Sequence, residues 1–120
     1  MNLSFITIYT DRIQESVDFY TKVMGFRIQR ELQPAPGRHI VFLEDERGST
    51  LEFLTDPKVG NFEGKGISLG FTVTDIELTK KHLQDNNVKI LSGPIALPGG
   101  VKLMSACDLN GVVLGFVQEH

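Results

Sequence analysis

The feature that most constrains this chain of 120 residues is that its second half repeats its first. Displaced by 63 positions, Ile13 falls on Ile76, Asp45 on Asp108 and Gly48 on Gly111. At the same displacement Leu51-Glu52-Phe53-Leu54 falls on Leu114-Gly115-Phe116-Val117. At 62 positions, Phe26-Arg27-Ile28 falls on Val88-Lys89-Ile90 and Pro36-Gly37 on Pro98-Gly99. The change of one residue marks a small insertion or deletion in the helix or the loop after it. A repeat of this length means one supersecondary unit used twice.

Each half reads strand, helix, three strands. In FITIYT (5–10) Ile6 and Ile8 alternate as in a half-buried strand. Asp11 is the expected N-cap, with Gln14 completing a capping box. Ile13, Val17, Tyr20 and Met24 then form a helical stripe, and Gly25 suits the helix end. FRIQREL, HIVFLED and TLEFL follow as strands, with a loop over QPAPGR (33–38) and a hairpin connection at ERGS. The second half repeats this with SLGFTV, a helix near 76–85 stopped by Asn86-Asn87, and strands in VKILSG, GVKLMSA and VVLGFVQ. The expected fold is α+β. Two βαβββ modules, 1–55 and 67–120, are joined by a Gly- and charge-rich linker at 56–66. They form a curved, mostly antiparallel eight-strand sheet with a cleft. Each sheet buries one face under its helix, and the cleft is the default ligand site.

Composition narrows the function classes. Twelve Lys and Arg against fifteen Asp and Glu give a net charge of −3, without the basic patch that nucleic acid or an anionic membrane requires. No apolar run approaches the roughly 18 residues of a membrane span, and the first residues lack a signal-peptide pattern. A cytoplasmic protein is expected, with neither nucleic acid nor membrane as partner. The single cysteine, Cys107, excludes an internal disulfide framework. No helix start or neighbouring histidine is there to activate it as a nucleophile.

Four stretches, in this order and spacing, resemble the vicinal oxygen chelate superfamily of glyoxalases, bleomycin-resistance proteins and extradiol dioxygenases. They are IQESVDFYTKVMGF (13–26), GISLGFTVTDIE (66–77), GPIALPGGV (93–101) and CDLNGVVLGFVQ (107–118). The resemblance covers nearly the whole chain and implies the paired-module fold, not one function, because a fold hosts many activities. It also implies where a metal would sit. Glyoxalases of this superfamily use His or Gln in the first strand of each module and Glu in the last strand of each. Here the first-strand places fall on Phe5 and Ser68, and the last-strand places on Glu52 and Gly115. Only Glu52 is a competent ligand; Phe and Gly offer no donor and a neutral Ser hydroxyl is a poor one. A one-residue slip brings Ser4 and Ile67, which are no better. His39, His82 and His120 fall at none of the places. No metal and no cofactor are therefore expected, and a divalent metal belongs only to the alternative reading.

If Ile6 and Ile8 pack under the helix, Phe5, Thr7 and Tyr9 face the cleft. Phe5 and Tyr9 then offer an aromatic wall to a planar ligand. Glu52, Leu54, Ser68 and Thr72 line the remainder. Gly70 and Gly115 either leave space or mark a bulge or a close backbone approach. Glu52 is also a candidate general base, since an apolar setting favours the protonated form of a carboxylate. Phe42, Phe53, Phe71 and Phe116 read as core, and His82 as a surface residue. His39 beside Arg38 reads as loop-edge polarity, or as an anion contact. Two functions follow. The first is metal-free binding of a small aromatic molecule. The second is a metal- or Glu52-dependent lyase, isomerase or dioxygenase. Eight strands in so short a chain leave edges to cover, so a homodimer is expected, with the 56–66 linker as a hinge for module exchange.

Overall fold

The computed structural model describes residues 1–63 and 65–120. Gly64, inside the expected linker, lies outside the described residues. The first half holds β1 (Ile6–Tyr9), α1 (Ile13–Asp18), β2 (Arg27–Ala35), β3 (Arg38–Glu44) and β4 (Thr50–Thr55). The second holds β5 (Ser68–Thr72), α2 (Ile76–Asp85), β6 (Lys89–Ala96), β7 (Lys102–Cys107) and β8 (Val113–Gln118). Both halves are βαβββ. Their strands make two four-stranded sheets, ordered β1-β4-β3-β2 and β5-β8-β7-β6, rather than one continuous sheet. In each sheet the first strand runs parallel to the last and the other pairs are antiparallel. The chain divides into two compact units, Met1–Phe62 and Glu63–His120. Asn61 and Phe62 are tied to the first: Asn61 Oδ1 accepts from the Asp11 amide at 2.8 Å, and the Phe62 amide donates to the Tyr9 carbonyl at 2.8 Å.

Strand register carries the repeat. Thr7 pairs with Glu52 and Gly70 with Gly115; Phe42 pairs with Glu52 and Ser105 with Gly115. Each of these pairs is displaced by 63 from its counterpart. On β2 and β6 the displacement is 62, with Ile28 opposite Leu43 and Ile90 opposite Ala106. Both strands then break register at the same point, between Ile28 and Arg30 and between Ile90 and Ser92.

The extra residue of the first half sits in its helix. After α1 the chain widens into a π-helical turn over Phe19–Val23, where the Met24 amide reaches back five residues to the Phe19 carbonyl at 3.3 Å. No such turn follows α2. A π turn takes up one residue more than an α turn. It therefore accounts for the change of displacement between the helix start and β2. Both segments end on a left-handed residue, Gly25 at φ +81° and Asn87 at φ +60°, again 62 apart.

The stripe on the first helix buries Val17 and Tyr20, with Ile13 and Met24 half-buried. The Tyr20 ring lies 5.1 Å from Phe53 and 5.6 Å from Phe26, and Leu43 on β3 is fully buried. In the second unit α2 buries Ile76 and Leu83 against a sheet whose Ala106 and Leu114 are fully buried.

The expected capping box at Asp11 and Gln14 does not form. Thr10 is fully buried and its Oγ1 accepts from the Arg12 amide at 2.9 Å. This starts the helix one residue later and turns Asp11 outward, while Gln14 bonds Asp18 instead. Asp75 does cap α2, accepting from the Glu77 and Leu78 amides at 3.1 Å each. The expected 33–38 loop shrinks to a turn at Pro36-Gly37, because β2 continues through Ala35 and Gly37 supplies φ +77°.

Candidate functional site

On the face of the first sheet opposite its helix, register partners form a row across all four strands. Thr7 on β1 stands beside Glu52 on β4, then Phe42 on β3, then Arg30 on β2. The Thr7 hydroxyl donates to a Glu52 carboxylate oxygen. Glu52 is buried at 8% exposure, and Phe42 at 6%. The Phe5 ring, 46% exposed, meets Phe42 edge-on at 5.6 Å, and the Arg30 guanidinium lies 4.6 Å from the Phe42 ring centre. Tyr9 pairs with buried Leu54, one row further along. The alternation in β1 thus places Thr7 and Tyr9 on this face, and Ile8 with the core.

The counterpart row in the second sheet is small and polar: Gly70, Gly115, Ser105 and Ser92, with a 2.7 Å hydrogen bond between the two serine hydroxyls. The two glycines pair directly with no break in register. A Cβ on Gly70 would meet nothing within 4 Å, and one on Gly115 only the Leu69 carbonyl at 3.8 Å. Neither position is a bulge or a close approach. The missing side chains simply leave this strip open. Ser68, Gly70 and Thr72 are exposed along β5.

Phe42 and Arg30 are the members that sequence reasoning missed. Phe42 is buried, as a core residue should be, but on the face of Glu52. Strict alternation from Ile28 would put Arg30 on the helix side; the register break at Gln29 turns it over.

The remaining candidates are taken up elsewhere. His39 Nε2 lies 2.5 Å from Glu31, and Arg38 lies 3.8 Å from Asp56, so both already face carboxylates of this chain rather than an outside anion. His82 is exposed on α2. Phe53 and Phe116 are core, and Phe71 is half-buried and stacks on Phe116 at 5.7 Å. Burial, and next the neighbouring Asp108 carboxylate, raise the Cys107 thiol pKa above its ordinary value, which disfavours the reactive thiolate.

The donor set does not fit a metal centre. Phe5, Ser68 and Gly115 hold three of the four places implied by the resemblance. Among the described residues no three His, Cys, Asp or Glu side chains group so as to hold an ion.

Two βαβββ units, each a four-stranded sheet with a helix, define a class of proteins broader than any one activity. A family model described as the Glyoxalase/Bleomycin resistance protein/Dioxygenase superfamily matches residues 2–111, and the chain belongs to that superfamily. A member of the superfamily from Sphaerobacter thermophilus DSM 20745 has the same fold at a TM-score of 0.81 and 20% identity, over 99% of this chain and 98% of that one. Glyoxalase I from Zea mays gives 0.84 at 17% identity over 98% of this chain, which spans only 44% of the maize protein. TnmS3, an antibiotic binding protein from Streptomyces sp. CB03234, gives 0.75 at 20% identity, over 98% of this chain and 95% of that one. At these identities the likeness is one of fold. No curated protein matches the sequence. Among the described residues, no helix is long and apolar enough to cross a membrane.

Proposed function

We propose that this chain binds a small, flat, aromatic molecule without a metal, and that the face carrying Phe5, Thr7, Tyr9, Glu52 and Leu54 is part of the site. The observation that carries the reading is the state of Glu52. The one carboxylate at the superfamily's metal places is buried and already engaged by the Thr7 hydroxyl. Next to it, Phe5 leaves nearly half its surface open. Such a face offers apolar area and one fixed polar anchor, which orient a planar ligand. In the second unit the open strip at Ser68, Gly70, Thr72 and Gly115 is proposed as a ligand-contacting surface in its own right. Function is then sequestration: the bound fraction lowers the free concentration of the ligand. TnmS3, of the same fold, is described as an antibiotic binding protein, which fits this reading.

A melting-temperature screen against planar aromatic compounds tests it. A ligand at 100 times its Kd stabilises a protein by about 2.7 kcal/mol, a readily measured shift. Wild type should respond and Phe5→Ala should respond less. A panel that shifts nothing sinks the reading. Stoichiometric nickel, zinc or iron in protein purified without chelator, lost in Glu52→Ala, would replace it with a metalloenzyme.

The burial of Glu52 and its fixed orientation by Thr7 also support an acid–base enzyme. In that case Glu52→Gln abolishes turnover while retaining ligand affinity. We propose further that the chain is a homodimer. Strand β2, an edge of its own sheet, is exposed along its whole length, including Ile28 and Leu32. Sedimentation as a monomer at micromolar concentration would refute this.

A further inference from the structure

We propose that the ligand is amphoteric: a flat aromatic body with an anionic group that meets Arg30 and a hydrogen-bond donor or cation that meets Glu52. This deepens the binding reading above and rests on it. Three observations carry it. Arg30 and Glu52 lie on one face, in one row, with Phe42 between them. The Arg30 guanidinium is held against the Phe42 ring at 4.6 Å, yet the residue stays exposed. Its charge is also unspent. Arg12, Arg27 and Arg38 each face a carboxylate, whereas the guanidiniums of Arg30 and Arg47 have no acidic partner among the described residues, and of these two only Arg30 lies against an aromatic ring.

The chemistry follows from the geometry. A guanidinium stacked on a ring is weakly hydrated and preset, and presents its N–H fork to a planar anion such as a carboxylate. Glu52 is its complement, a carboxylate that can accept from an amine or hydroxyl. The two residues stand two strands apart, so their backbones are separated by roughly 9–10 Å. The Arg30 side chain reaches toward Glu52 over the Phe42 ring, so one flat compound carrying both groups can meet the two residues on a single face. Phe5, edge-on to Phe42 and half open, supplies apolar surface beside them. The counterpart row in the second sheet, Gly70-Gly115-Ser105-Ser92, has neither charge nor ring, so this pattern belongs to the first sheet only.

Three naphthalene probes test the inference: 2-naphthoate, 2-naphthylmethylamine, and 6-(aminomethyl)-2-naphthoate, which carries both groups. Binding is measured by calorimetry on the full chain at moderate salt. The two-group compound should bind wild type at least tenfold more tightly than either single-group compound. Arg30→Gln should weaken both carboxylates about tenfold and leave the amine unchanged; Glu52→Gln should weaken only the compounds bearing the amine. Arg30→Lys keeps the charge but not the planar fork, and should recover only part of the loss. An unchanged melting temperature in Arg30→Gln, an exposed substitution, shows that the fold is intact. If the amine binds but Arg30→Gln affects all three probes alike or none, the amphoteric inference fails and aromatic binding stands. If no probe binds at millimolar concentration, both fail.

Discussion

Thr7 and Glu52 stand or fall as a pair. Glu52 is buried at 8% exposure, and a hydroxyl facing it is the partner that makes burial tolerable. Thr7→Val keeps the shape and removes the donor, so it should cost about 1–3 kcal/mol in urea denaturation, the penalty of a buried polar group left short of a partner. Thr7→Val on a Glu52→Leu background should cost much less, and equal costs in the two backgrounds would show that the hydrogen bond carries no stability. A different restraint acts at Gly93, at φ +82°, where an added Cβ would lie 2.5 Å from the Leu103 carbonyl oxygen. Gly93→Ala should lose about 1–3 kcal/mol, or fail to fold. Gly70→Ala and Gly115→Ala, with room for the methyl, should be neutral or gain up to about 1 kcal/mol. At this scale Thr7, Tyr9 and Glu52 are legible in the sequence from alternation and from the repeat. Arg30 is not, because a bulge is set by pairing with β3, and no local residue announces it.

Among the elements, the two helix starts differ: Asp75 stands directly before Ile76, whereas Asp11 stands two residues before Ile13. Asp75 accepts from two amides of α2, while Asp11 sits one residue too early and lets buried Thr10 take the first amide of its segment. Asp75→Ala should therefore cost about 1 kcal/mol in thermal or urea unfolding, and Asp11→Ala close to nothing. Equal losses would contradict the cap assignment. The spacing to the first helical isoleucine, two residues for Asp11 and one for Asp75, carries the difference, and buried Thr10 fills the place that Asp11 leaves. The extension of β2 through Pro34 and Ala35 was likewise hidden from the sequence. Proline is a strand breaker in isolation, but a sheet edge tolerates it, since one side of an edge strand needs no donor.

For the molecule as a whole, the repeat is the most legible feature, and register shows why. Hydrogen-bonded partners in β1, β3 and β4 recur in β5, β7 and β8 at a fixed displacement, so the two sheets are one pairing scheme used twice. What differs is the side chains hung on it: Thr7-Glu52-Phe42-Arg30 in one unit, Gly70-Gly115-Ser105-Ser92 in the other. The position of the odd residue is testable. Deleting exposed Lys22 from the π turn should leave a single cooperative unfolding transition, with a loss of about 1–3 kcal/mol. Deleting Val41 from central β3 should abolish that transition, because a one-residue slip sends every following side chain to the wrong face. Similar losses from the two deletions would mean that the turn has no special capacity to take up a residue.

That turn also bears on how such a chain changes over generations. A codon lost from within a strand sends every side chain after it to the other face. One lost between Phe19 and Val23 narrows the wide turn to an ordinary helical one, and the strands downstream keep their partners and their faces. Here a descendant gene can shorten by one codon in a single event and still encode both sheets. Among relatives of this protein, variation in length between the first helix and the second strand should therefore be commoner than within any strand.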